Sequence, residues 1–241
     1  MKAFLIGLVL FFCLGTTAAD TFPRPFTAEY TLSAKGIPLI GEGHIGKGTR
    51  TLTYLPNGQF EVKSFAKTTG LAAFFKKIRI EERSVFTRVD GKSWPLEYTY
   101  HQTGSQSRSH TVAYDWGQGI AKNTYKGQTQ DIQLEDGILD KLLYQIVLME
   151  ELMQGKRELE YKVVGKSKIA IYRPNHIGSE FVETGVGSLN TLKYERQSES
   201  GNRRTLLWCA PKFHYLPVQV EHIEKDGEVF KMVLHSFEYN D

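Results

Sequence analysis

The chain has 241 residues, with 30 Lys and Arg against 27 Asp and Glu and only two cysteines. Near charge balance, with the basic residues scattered along alternating segments, argues against a nucleic-acid surface, which needs positive charge clustered on one face. The length suits one large all-β domain as well as two smaller ones.

Residues 1–19 carry Lys2, an apolar run from Ala3 to Leu14, and the small residues Thr17 and Ala19 ahead of Asp20. That is the pattern of a cleaved secretory signal peptide. The run is shorter than the roughly 20 residues of a spanning helix, and no later stretch approaches it. Cys13 follows Phe12, whereas a lipoprotein cleavage site needs a small residue there. We therefore expect a periplasmic protein, residues 20–241, that does not span the membrane and touches it peripherally if at all. Cys13 leaves with the signal, so Cys209 in RTLLWCA stands alone, which excludes an intramolecular disulfide and points to a buried thiol.

The mature chain then reads as strands. In FTAEYTLSAKG, residues Phe26, Ala28, Tyr30, Leu32 and Ala34 alternate with polar neighbours, the rhythm of a half-buried strand. PLIGEGHIGKGTRTLTYL supplies the next, Pro56-Asn57-Gly58 turns the chain, and QFEVKSFAKT alternates again. KIRIEERSVFTRV, the Asp90-Gly91 turn and SWPLEYTYHQ repeat the hairpin. SRSHTVAYDW and a weaker, polar KNTYKGQTQDIQL complete the first half.

A helical rhythm appears once at length, in DGILDKLLYQIVLMEELMQG. Leu139, Leu142, Leu143, Ile146, Met149 and Met153 share one face, widened by Ile138 and Val147. This predicts a helix over about 136–154, with Asp136 as N-cap and Gly155 as its stop. Glu150 falls about 20° from the middle of the apolar stripe at 100° per residue, so its carboxylate must be paired, emerge from the core or face a wet cavity. Beyond the helix RELEYKVVG, KIAIYRP, SEFVETG, SLNTLKYERQ, RRTLLWCA, LPVQVEHIEKDG and EVFKMVLHSFEY are strands, the last two joined by Asp226-Gly227.

About a dozen period-two segments and one helix, without a linker, predict a single domain. The expected fold is all-β with one long helix, its antiparallel sheet coiled as an open barrel or spiral around that helix. Such coiling hides both the sheet edges and the apolar face.

Catalytic signatures are missing. GEGHIGKG imitates a phosphate loop, but a strand-like TRTLTYL follows it where a helix N-terminus should stand, so its glycines read as bends or bulges. The seven histidines form no ligand pair, so no metal and no cofactor is predicted. Glu81-Glu82 and Glu150-Glu151 are neighbours that point apart. TGLAAFFKK, Thr69 to Lys77, is instead an apolar cluster ending in two lysines. It reads as a plug at one end of the sheet or as an exposed lip for a lipid or bilayer.

FTAEYTL followed by GIPLIGEG, then AKTTGLAAFF, the helix entrance with Asp136, Leu139 and Tyr144, and TLLWCAP followed by LPVQVE resemble a family of exported bacterial proteins catalogued as domain of unknown function 3108. The resemblance spans nearly the whole mature chain. Where that family often has Ser in the first helical turn, this chain has Asp140. The resemblance implies a periplasmic sheet coiled about a helix, similar to lipoprotein carriers and spiral envelope-integrity proteins. The expected role is noncatalytic binding of a lipid, acyl chain or lipoprotein tail in the cell envelope. Leu142, Ile146, Met149, Met153 and Glu150 would line the site, and Leu71, Phe74 and Phe75 would form its lip. The alternatives are an envelope scaffold acting through protein partners and, behind it, an envelope hydrolase.

Overall fold

Alternating segments and positive-φ turn residues together set where the chain runs straight and where it reverses. The structure is a computed structural model that describes residues 22–37 and 41–240, so the expected signal peptide lies outside the described residues. A meander runs through β1 (Phe26–Ile37), β2 (Gly41–Tyr54), β3 (Phe60–Thr68), the short helix α1 (Gly70–Phe75), β4 (Ile78–Val89), β5 (Lys92–Gly104), β6 (Arg108–Asp115), β7 (Ile120–Tyr125) and β8 (Gln128–Gln133). Next come β9 (Ile138–Leu139), α2 (Leu143–Met153), β10 (Tyr161–Val164) and β11 (Ile169–Tyr172). A second meander follows, of β12 (Asn175–Thr184), β13 (Gly187–Gln197), β14 (Arg204–Ala210), β15 (Leu216–Ile223) and β16 (Val229–Tyr239).

The two meanders join through β1 and β16 into one antiparallel sheet of 13 strands, with β12 and β8 at its ends and, among the described residues, no ladder closing it into a barrel. β9, β10 and β11 form a separate three-stranded sheet, in which β9 and β10 run parallel. Asp90 (φ 51°) and Gly91 (φ 74°) make the expected two-residue hairpin. Lys126 (φ 52°) and Gly127 (φ 79°) make another, which splits KNTYKGQTQDIQL into β7 and β8 rather than one weak strand. GEGHIGKG lies within β2, and at Gly46 a Cβ would fall 2.1 Å from the Lys67 carbonyl oxygen, so the close backbone approach there requires glycine.

The helix departs from its expected extent. α2 begins at Leu143, while Ile138 and Leu139 extend as β9, pairing with Lys162 and Val163. Asp136 does not cap it; its carboxylate meets the Lys92 ammonium at 2.7 Å on the surface. Asp140 takes the capping role, accepting the Leu142 and Leu143 N–H groups at 2.8 Å each. The reason is burial: Ile138 and Leu139 are covered as a strand pair, and the first side chain able to accept amide hydrogens ahead of Leu143 is Asp140. Nor is α2 apolar on one stripe alone. Tyr144, Leu148 and Leu152 are buried together with Leu143, Ile146 and Met149, so protein surrounds most of its circumference.

These side chains join Phe26, Leu52, Phe86, Val112, Leu207 and Val218 of the large sheet in one core. Each large apolar side chain so covered contributes about 1.5–3 kcal/mol. Polar ties reach α2 from the sheet, Arg50 of β2 donating to Gln145 Oε1 at 2.7 Å and Arg88 of β4 donating to both Glu150 oxygens at 2.7 Å. The β10–β11 hairpin touches both ends of the strand order. Asn123 of β7 donates to the Gly165 carbonyl at 3.2 Å, Gln130 of β8 to the Ser167 carbonyl at 2.6 Å, and the Arg196 guanidinium of β13 lies 4.0 Å from the centre of the Tyr172 ring. No helix among the described residues is long and apolar enough to cross a membrane.

Candidate ligand site beside the exposed short helix

The strands near α1 carry small or aliphatic residues on the face they share with the core. Leu32 pairs with Met232, Ala66 with both Gly48 and Ile80, and Phe230 with His222. With Ile45, Thr68 and Ile78 these residues enclose an apolar-walled cavity of about 200 Å³. Beside it, a Cβ on Gly48 would stand 3.7 Å from Leu32 Cδ2 and 4.0 Å from Ala66 Cβ, two of the lining side chains.

Thr68 and Ile78 bracket α1. The Thr68 hydroxyl accepts the Ile78 N–H at 2.9 Å and donates to the Lys76 carbonyl at 3.1 Å, which fixes the base of the excursion. Its apolar side chains are not fixed in the same way. Leu71 is 82%, Phe74 86% and Phe75 58% exposed, and only Ala72 turns inward. Three large apolar groups in one exposed turn form a patch of the kind that marks lipid or protein contact.

Deeper along β2 and β4 the lining turns polar. Arg50 follows Gly48 on the same face, and Glu82 follows Ile80. Tyr98 donates to Glu82, and Ser84 donates to the buried Asp140 carboxylate. Burial pushes the Asp140 carboxyl up to about 7, against the pull of the Leu143 N–H, Ser84 and the Leu142 N–H, with the Glu82 charge raising it further. Burial likewise raises Glu82 and lowers Lys141. His222, whose Nδ1 lies 3.0 Å from the Thr205 hydroxyl, is held down to about 4, first by burial and then by Arg196 and Arg50. His222 itself is exposed at the lining of the recess.

The expected site residues fall into three places. Leu142, Ile146 and Met149 are fully buried in the core, Met153 is half-buried, and the apolar cavity is lined by strands rather than by α2. Glu150 is paired with Arg88, whose guanidinium also stacks 3.9 Å from the centre of the Phe22 ring. Leu71, Phe74 and Phe75 stand at the cavity end. The residues that sequence reasoning missed are Leu32, Ala66, Ile80, His222 and Met232, which belong to five different strands. Their signal was present only as inward positions of alternating segments. Glu81 and Glu82 do point apart, Glu81 to surface Arg79 and Glu82 to Tyr98. Among the described residues no group of three or more His, Cys, Asp or Glu could hold a metal ion.

No curated protein matches the chain. In fold it is similar to a beta-barrel-like protein of domain of unknown function DUF1849 from Brucella abortus, at 8% identity over 91% of this chain and 99% of that chain, with a TM-score of 0.57. At that identity the likeness concerns the fold alone. A DUF1329 family protein from Desulfovibrio piger aligns over 90% of this chain and 86% of its own at 8% identity, but its TM-score of 0.30 is too low to support any reading. Residues 29–235 match the family described as protein of unknown function, DUF3108. Over that span, which takes in the cavity strands, α1 and α2, the chain belongs to the DUF3108 family.

Proposed function

We propose that this protein is a noncatalytic binder of a hydrophobic ligand, a lipid, an acyl chain or a lipoprotein tail, in the bacterial cell envelope. The observation that carries this reading is the apolar cavity whose rim strands lead directly into the exposed Leu71, Phe74 and Phe75. The leader-like pattern of residues 1–19 supports a periplasmic location. In this reading the large sheet coils around α2, with the β10–β11 hairpin tying its two ends, and α2 is a plug rather than the ligand's floor. Buried Leu142, Ile146 and Met149 support that division of labour, as does the Arg88–Glu150 pair that holds the helix.

The reading is tested by native mass spectrometry of the protein exported with its own leader and extracted without detergent. A copurified amphiphile that an apolar dye displaces is the expected result; a protein free of ligand and unable to bind the dye contradicts it. A second reading has one observation in its favour. β12 stands at the end of the sheet and exposes Ile177 and Phe181, so it could take an added strand from an envelope partner. Crosslinking from β12 to a reproducible protein partner, with no bound lipid, would favour that scaffold instead.

A further inference from the structure

A second cavity, of about 500 Å³, meets the apolar one at His222, which lines both. Its other walls include Lys141 beside α2, Lys166 and Tyr172 of the β10–β11 hairpin, and Arg196 and Thr205 of β13 and β14. Several of its charges are already matched. Arg203 pairs with Glu224 at 2.6 Å, Arg204 with Glu195 at 3.2 Å, and Glu199 is engaged by Lys168. Lys141, Lys166 and Arg196 have no carboxylate at ion-pair distance among the described residues. The Arg196 Nη2 donates to Thr205 Oγ1 at 2.9 Å, but its buried Nε has no hydrogen-bond partner. Arg50, only 6% exposed, also leaves its Nε unpartnered behind the same recess. Of the carboxylates around the recess, Glu199 and Glu224 are taken by Lys168 and Arg203, and Glu82 accepts the Tyr98 hydroxyl.

Half-buried Lys141 and Arg196 are partly withdrawn from water without a counter-charge, which is costly, and an arriving anion offsets that cost through charge-assisted hydrogen bonds, with exposed Lys166 adding positive charge at the mouth. We infer that the ligand is an anionic amphiphile, its phosphate or carboxylate head received by Lys141, Lys166 and Arg196 and its tail passing His222 into the cavity of Leu32, Ala66, Ile80 and Met232. This rests on the hydrophobic-ligand reading and adds the chemistry of the head. The two cavities supply the division: one wall is carbon and the other carries positive charge in excess of its matched pairs.

The test titrates the purified mature protein with decyl phosphate, decanoate, decanol and inorganic phosphate, each as a competitor of a fluorescent apolar probe. The same titrations are made on Lys141→Met/Lys166→Met and on Lys166→Met alone, a change on the exposed hairpin that leaves the core untouched. Wild type should bind decyl phosphate or decanoate at least tenfold more tightly than decanol. That preference should fall severalfold in Lys166→Met and nearly vanish in the double variant, while the affinity for decanol stays the same. Equal affinity of wild type for decanol and both anionic chains would overturn the head-group inference and leave the hydrophobic site standing. Failure of every decyl compound to bind would overturn the hydrophobic site itself. Inorganic phosphate competing as well as decyl phosphate would make this a free-anion site and overturn the amphiphile. A preference that survives in both lysine variants would overturn the assignment to these residues.

Discussion

Asp140→Asn tests whether the polar belt beneath the cavity is as buried as its geometry implies. Asp140 is fully buried, accepts the Leu142 and Leu143 N–H groups on one oxygen and faces the Ser84 hydroxyl with the other. Asn keeps an oxygen for the two amides, and the Ser84 hydroxyl can rotate to accept from its NH2 group. The substitution therefore removes the titration while retaining the cap. The folded-state carboxyl is raised from 3.8 to about 7, so the folded protein holds this proton to higher pH than the unfolded chain does. Stability associated with Asp140 is therefore greatest below pH 4, falls as pH rises through 4 to 7, and is level beyond. A gap of about three pH units at 1.36 kcal/mol each corresponds to about 4 kcal/mol. Urea unfolding of wild type and variant at fixed pH values measures the difference directly. The difference should shift toward the Asn variant by about 4 kcal/mol between pH 4 and pH 7. His222 titrates in both proteins and largely cancels, and because the raised Glu82 carboxyl faces Asp140 both are measured in a Glu82→Gln background, where the amide oxygen still accepts the Tyr98 hydroxyl. A difference that stays constant from pH 4 to pH 8 would refute the buried, proton-retaining Asp140.

Other substitutions probe different parts of the account. Arg88→Ala strands the buried Glu150 carboxylate and should destabilise by about 3–5 kcal/mol in urea unfolding, whereas Arg88→Met with Glu150→Leu should recover most of that loss. Replacing Leu71, Phe74 and Phe75 together by Ser should leave stability within about 0.5 kcal/mol, because these side chains are exposed, yet slow the uptake of an acyl probe from vesicles in stopped-flow fluorescence. Cys209 is buried and its thiol is pushed up by desolvation, so a thiol reagent should label the protein only after denaturation.

Much of the fold was legible because period-two alternation and positive-φ turn residues are local. FTAEYTLSAKG is β1, the Asp90-Gly91 and Asp226-Gly227 turns lie in the hairpins where the sequence places them, and GEGHIGKG is a strand with a register shift beside Gly46 rather than a phosphate loop. The start of α2 was misplaced because Ile138 and Leu139 satisfy the helical spacing equally well, and their parallel pairing with β10 is a long-range contact that no local pattern displays. The Lys126-Gly127 hairpin was missed because Lys is a weak turn former beside Asn or Asp. The cavity was illegible for a related reason. Leu32, Ala66, Ile80, His222 and Met232 read singly as inward residues of five strands, and only strand order brings them together. The β1–β16 pairing within the chain, which sets Leu32 beside Met232, is what assembles them.

Ala66→Phe is the most direct test of the central claim, since its ring would fill the cavity between Gly48 and Ile80 from a position that is only half-buried. The measurement is the affinity for a fluorescent acyl probe in wild type and variant, at matched stability in urea. The ligand cavity predicts that the folded variant loses at least tenfold in affinity. Unchanged affinity in a folded Ala66→Phe protein would contradict it.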